Sequence, residues 1–169
     1  VVYVDDDYEL GLMASTYASL INAPLIIQGY NEEVDLEGRK LICIGNVEVS
    51  CDEYYNLEEL QQKYVDETNT DKIILVNPDD LNIKVDEEFE TEKGGTVYEI
   101  YSKTSLGAPI LAGAKHEVII STTATDYEEV DGFIEGKIEE LGILDSVEYL
   151  TILASPPAIP HAVHFTGNS

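Results

Sequence analysis

Asp7-Tyr8-Glu9-Leu10-Gly11-Leu12-Met13-Ala14-Ser15-Thr16-Tyr17-Ala18-Ser19-Leu20-Ile21-Asn22-Ala23-Pro24-Leu25-Ile26-Ile27 is the stretch whose reading decides the fold class. Apolar or small residues recur at Leu10, Met13, Ala14, Tyr17, Ala18 and Ile21, the spacing of one helix face. Asp7 supplies an N-cap, and Glu9 an acidic first turn that the helix dipole favours. Asn22 and Pro24 predict the stop, because the residue before a proline is pushed out of the helical region. Leu25-Ile26-Ile27 is then an unbroken apolar run, expected of a strand covered on both faces. Val1-Val2-Tyr3-Val4 is another such run ahead of the helix. The opening of the chain reads strand, helix, strand.

Beyond it, residues 28–40 are polar, with Gly29, Asn31 and Gly38 as turn signals. Leu41 to Ile44 reads as a buried strand ending at Gly45-Asn46. Asn56 caps a short helix over Leu57 to Tyr64, with Leu57, Leu60 and Tyr64 on one face. Lys72-Ile73-Ile74-Leu75-Val76 is the next buried strand, stopped by Asn77-Pro78-Asp79-Asp80. The acidic residues 81–96 fit a hairpin or an irregular loop. Ser105 to Ala114 reads as a second small-residue helix, with Pro109 in its first turn where proline is tolerated. Val118-Ile119-Ile120 is a strand. Thr125 or Asp126 caps an amphipathic helix to about Leu141, which Gly142 ends. Tyr149 to Ala154 is the last strong strand, stopped by Ser155-Pro156-Pro157-Ala158-Ile159-Pro160.

These elements repeat. The first unit runs strand 1–4, acidic turn, small-residue helix 8–21, strand 25–27, strand 41–44. The second runs strand 72–76, Asn-Pro-Asp-Asp turn, small-residue helix 105–114, strand 118–120, strand 149–154. The order predicts parallel βαβ connections and an α/β layered sandwich with a mostly parallel sheet. The expected units are 1–71 and 72–169, the second with insertions at 81–104 and 126–141, and the two can pack as one domain.

The 169 residues carry a formal charge of −25. Nucleic acid and anionic membrane surfaces repel such a chain. The acids are spread throughout, which fits a solvated surface in a saline or extracellular setting; cation binding or basic partners are the sharper reading. No run is long and apolar enough for a membrane span. A start at Val rather than Met, with no signal peptide, is expected of a mature or excised piece of a longer protein. Cys43 and Cys51 leave two readings open: a buried free thiol in the strand at Cys43, or a disulfide closing a short loop, which an extracellular location favours.

Asp7-Tyr8-Glu9-Leu10, Ala14, Ala18, Asn22-Ala23-Pro24-Leu25-Ile26-Ile27, Leu41-Ile42-Cys43-Ile44-Gly45 and Val49-Ser50 together resemble a cell-wall-binding repeat of the second type. Ser105-Leu106-Gly107-Ala108-Pro109 and Tyr149-Leu150-Thr151-Ile152-Leu153 echo the same pattern. Asp-Tyr-Glu stands where that family has Pro-Asp-Ala, and Gly-Asn where it has Gly-Gly. The resemblance implies a noncatalytic module anchoring a surface protein to anionic envelope polymers, at the cell surface or outside the cell. At −25, such a ligand requires bridging cations; another surface-protein domain is the other partner expected. Separately, Tyr149 to Pro160 is similar to the strand and Ile-Pro turn that close the first half of gingipain-like cysteine peptidase domains. That resemblance implies a noncatalytic N-terminal half, since the family's catalytic His-Gly and Ala-Cys strand ends do not occur in this chain.

Candidate site residues lie at strand ends. Asp5, Asp6 and Asp7 follow the first strand, and Asp79 and Asp80 follow its counterpart in the second unit. The carboxyl edge of an open α/β sheet is where ligands bind, and such oxygen clusters suit Ca²⁺ or Mg²⁺. The competing reading is helix capping and solvation. Ca²⁺ is the only cofactor suggested. His161 and His164 are spaced to face one side of a helix but lack a nearby acidic ligand. No Gly-x-Ser-x-Gly elbow or phosphate-binding glycine loop is present. No complete catalytic constellation emerges, and the expectation is a binding or assembly domain rather than an enzyme.

Overall fold

The chain enters through β1 (Val2–Val4), and the next residues start a helix at once. Asp7 adopts an extended backbone, and its carboxylate accepts the Leu10 N–H at 3.0 Å, capping α1 (Tyr8–Leu20). Asn22 then takes the left-handed conformation (φ 50°), which turns the chain into β2 (Leu25–Ile27). The computed structural model describes residues 1–30, 34–89 and 97–159, those at 85–89 and 97–99 by backbone alone.

β1 is central. It pairs in parallel with β2 (Val2 opposite Leu25) on one side and with β3 (Ile42–Ile44; Val2 opposite Ile42) on the other. Outside β3 lies β4 (Glu53–Tyr55), also parallel. α2 (Leu57–Thr68) follows under a capping box formed by Asn56 and Glu59. It carries the chain to β5 (Lys72–Val76).

A 3₁₀ turn over Pro78–Asn82 leads into an antiparallel hairpin of β6 (Lys84–Phe89) and β7 (Val97–Tyr101). A second 3₁₀ turn, Thr104–Gly107, opens into α3 (Ala108–Lys115). β8 (Val118–Ser121), α4 (Tyr127–Glu140) and β9 (Tyr149–Ile152) complete the described path.

The strand orders are β2-β1-β3-β4 and β8-β5-β9. The two sheets share a plan: in chain order, the first strand of each sheet is central, the second lies on one side and the third on the other. Their registers also match, since Val2 faces Leu25 and Ile42 as Ile73 faces Val118 and Leu150. The fold is a layered α/β arrangement of two parallel sheets alternating with helices.

One apolar cluster joins both units: Val2, Met13, Ile44, Leu60, Tyr64, Ile74 and Ile120 all belong to it. α1 touches β1 and β2 of its own sheet, and also β8 and α3 of the other unit. It is therefore buried on more than one side, at Leu12, Met13, Ala14, Thr16, Tyr17 and Ala18. Thr16 is tolerated there because its hydroxyl donates back to the Leu12 carbonyl at 3.0 Å. Small residues permit the close approach to α3: a Cβ on Gly113 would lie 3.3 Å from Ser19 Oγ.

Three details differ from the sequence reading. α2 runs past Tyr64 to Thr68, because Val65 extends its buried face and Asn69 (φ 50°) supplies the left-handed cap. The second small-residue helix is split into a 3₁₀ turn and α3. β4 was not expected at all, since Glu53-Tyr54-Tyr55 has no apolar run.

Two glycines separate steric from propensity effects. Gly45 has φ 79°, and a Cβ there would meet Leu10 Cδ1 at 2.5 Å and Asp5 Cβ at 3.1 Å. Gly45→Ala should lower stability by about 2 kcal/mol in urea unfolding. Gly11, inside α1 with nothing within 4 Å of such a Cβ, should behave oppositely, Gly11→Ala raising stability by up to about 1 kcal/mol.

Candidate functional site

At the carboxyl edge of the first sheet, the acids act on local backbone. Asp5 donates its N–H to the Ile44 carbonyl at 3.0 Å and accepts the Asp6 N–H on Oδ1 at 2.9 Å. Asp7 caps α1. Asp6 and Asp7 are exposed and Asp5 half-buried. Asp79 is exposed too, with its N–H bound by the Asn77 side chain at 2.9 Å. Among the described residues, no three His, Cys, Asp or Glu side chains converge as a metal site would require. The structure does not gather Asp5, Asp6, Asp7, Asp79 and Asp80 into one cluster.

Asp80 has a different role from its neighbours. It is fully buried. Its Oδ2 accepts the Ser105 N–H at 2.9 Å. Its Oδ1 accepts the Ser102 hydroxyl at 2.7 Å, the Ser155 N–H at 2.7 Å and the Ser155 hydroxyl. Burial alone would push this carboxyl up; the bonds from Ser155, Ser105 and Ser102 outweigh it and hold the group well below the usual carboxylate range. Asn77, also buried, donates to the Ala158 carbonyl at 2.7 Å. The carboxyl edge of the second sheet is thus closed by its own polar groups, and Asp80 is a strut rather than an open ligand. Ser102, Ser105 and Ser155 carried no signal in the sequence.

A cleft of about 260 Å³ opens where the end of β8 meets α2 and α4. Glu9, Glu58, Gln61, Ser121, Phe133 and Lys137 are among the residues lining it. Gln61 is buried and donates to the Ile119 carbonyl at 2.7 Å, while its Oε1 and the Ser121 hydroxyl have no partner among the described residues. Lys137 is engaged by Glu140 at 2.9 Å. The space suits water or a small polar solute.

The outer edge of β9 contrasts with the rest. Tyr149, Leu150 and Ile152 are 55%, 44% and 51% exposed, whereas every residue of β3, the strand in the matching position, is at most 8% exposed. Lys72 lies over the Tyr149 ring, 5.8 Å from its centroid. Among the described residues no strand lies beyond β9.

No family model, curated protein or solved structure matches this chain. His116 serves as the left-handed cap of α3 (φ 56°). His161 and His164 lie outside the described residues.

The cysteines are paired. Cys43, buried within β3, is bridged to Cys51 ahead of β4, with Cα atoms 5.9 Å apart. Neither thiol is free, so the free-thiol reading of Cys43 falls. The bridge closes the loop that brings β4 alongside β3. The Tyr54 hydroxyl steadies that loop by accepting the Cys51 N–H at 2.7 Å.

Two predictions follow from these groups. Asp80→Asn places an amide where four donors converge, and should cost about 3 kcal/mol near neutral pH by chemical denaturation. A carboxyl depressed in the folded state stabilises it above the unfolded value, here 3.8, and loses that contribution as pH falls toward the folded value. The gap between wild type and Asp80→Asn should therefore narrow below about pH 4. Cys51→Ser, or reduction of the native protein, should lower stability by about 2 kcal/mol, the low end for disulfides because the loop is short. Calorimetry with and without reductant measures it.

Proposed function

We propose that this chain is a noncatalytic domain of a surface or secreted protein, working by binding or assembly at the cell envelope. The observation that carries this reading is the Cys43–Cys51 bridge. Disulfides form and persist in oxidising compartments, and a reducing cytosol would open one. The charge of −25 suits the same setting, where a solvated acidic surface stays soluble and monomeric. The exposed carboxylates of Asp6, Asp7 and Asp79 remain available to share diffuse Ca²⁺ with an anionic polymer, while Asp80 stays internal. Roles are divided accordingly: buried acid for structure, exposed acid for contact.

The alternative, the noncatalytic N-terminal half of a gingipain-like cysteine peptidase, is favoured by one observation. β9 is an edge strand among the described residues, and the chain leaves it through Ser155-Pro156-Pro157. A following subdomain could extend that sheet. A parent reading frame with His-Gly and Ala-Cys strand ends downstream would decide for it.

Co-sedimentation with isolated cell envelopes of the source organism tests the main reading. Saturable pelleting in millimolar Ca²⁺, abolished by a chelator, is the expected result. No pelleting in either condition would rule out envelope anchoring.

A further inference from the structure

The two parallel sheets agree strand for strand until the third strand of each, and there they part. In the first unit β3 is covered by β4, three residues laid parallel to it with Ile42 opposite Glu53 and Ile44 opposite Tyr55. In the second unit β9 occupies the matching place, with Leu150 and Ile152 in the register positions of Ile42 and Ile44. Yet no described strand covers it, and its apolar side chains face solvent.

The backbone is oriented for pairing. Tyr149 and Leu153 direct their N–H groups to the β5 side, at Asp71 just ahead of β5 and at Leu75 within it. By strand alternation, the N–H groups of Leu150 and Ile152 point to the open side. Leu150 and Ile152 share one face of the strand, and Tyr149 lies on the other. An exposed apolar edge of this kind is a template for strand addition.

We propose that the outer edge of β9 docks a short parallel strand from a partner protein, one that alternates apolar with Lys or Arg residues. The position of β4 sets the direction and length. Charge selects the composition: Glu148, the residue before β9, is exposed on a chain of net −25, and among the described residues the one cation against the strand, Lys72, is held over the Tyr149 ring beside Asp71. A second copy of this chain would bring like charge against like, and a basic segment would not. Main-chain bonds supply pairing, and side chains seated over Leu150 and Ile152 supply selectivity. This inference adds a partner to the surface-domain reading above but is tested apart from it.

The probe is a fluorescein-labelled peptide alternating lysine and valine, titrated with the full chain and followed by anisotropy. The control is the matching glutamate–valine peptide. Saturable binding of the lysine peptide alone is expected, together with slowed amide exchange at Leu150 and Ile152. Ile152→Lys and, independently, Leu150→Lys should each weaken binding about tenfold. Tyr30→Lys makes the same charge change at a remote exposed residue, 71% accessible, and should leave affinity unchanged.

Several outcomes would overturn the proposal. They are equal binding of both peptides, equal weakening by Tyr30→Lys, self-association through this edge, or no binding of the lysine peptide. If the peptide fails while envelopes still pellet the protein, strand docking is wrong and the surface-domain reading survives. If it binds while envelopes do not pellet, the reverse holds.

Discussion

The shared burial of α1 is the constraint on which the rest of the structure depends. Strands of three to five residues, as in both sheets, cover too little surface to enclose a core alone. A helix inserted between two such sheets lets each supply a wall for the other. That helix must be apolar or small around much of its circumference, and α1 is, from Leu12 through Ala18. Close contact also requires small partners, hence Ser19 against Gly113. The units are thus halves of one hydrophobic cluster, and removing the second would expose α1.

Acidic composition then limits how loop ends can be fixed. Cations are few here, and among the described residues the buried Glu117 has only Lys115, at 4.0 Å. Asp80 uses neutral donors instead, drawn from the residues after β7, from the turn before α3 and from the residues after β9. Backbone N–H groups and serine hydroxyls stabilise the charge without adding a second desolvated ion. The charged state is retained, and segments distant in sequence are tied at one point. The first unit makes its comparable tie covalently, from Cys43 in β3 to Cys51 at the entry of β4.

Much of the architecture was legible because its signals are local. Asp7 and Asn56 behave as the caps their types suggest, and the apolar runs at 2–4, 42–44, 73–76 and 118–120 became the buried strands. The repeat was visible because helix and strand periodicities alternate in the same order twice. β4 was invisible: a half-exposed edge strand held by pairing, a bridge and the Tyr54 contact has no apolar pattern to display. The site was less legible still. Asp80 and Asp79 are neighbours of one type, but only three-dimensional convergence of Ser102, Ser105 and Ser155 makes one a strut and leaves the other at the surface. Chain-local reasoning could place carboxylates at a sheet edge, yet it could not say which edge was closed.

The closed edge and the open edge belong to the same sheet, and that pairing is instructive. Ligands of open α/β sheets ordinarily enter at the carboxyl ends of the strands. Here Asn77, Asp80 and Ser155 fill that crevice in the second sheet, and Ala158 and Ile159 are buried over it. What the sheet still offers is lateral: the side of β9, whose counterpart in the first sheet is already paired. The second sheet has thus spent its crevice on internal bonds and left one strand edge apolar and, among the described residues, unpaired.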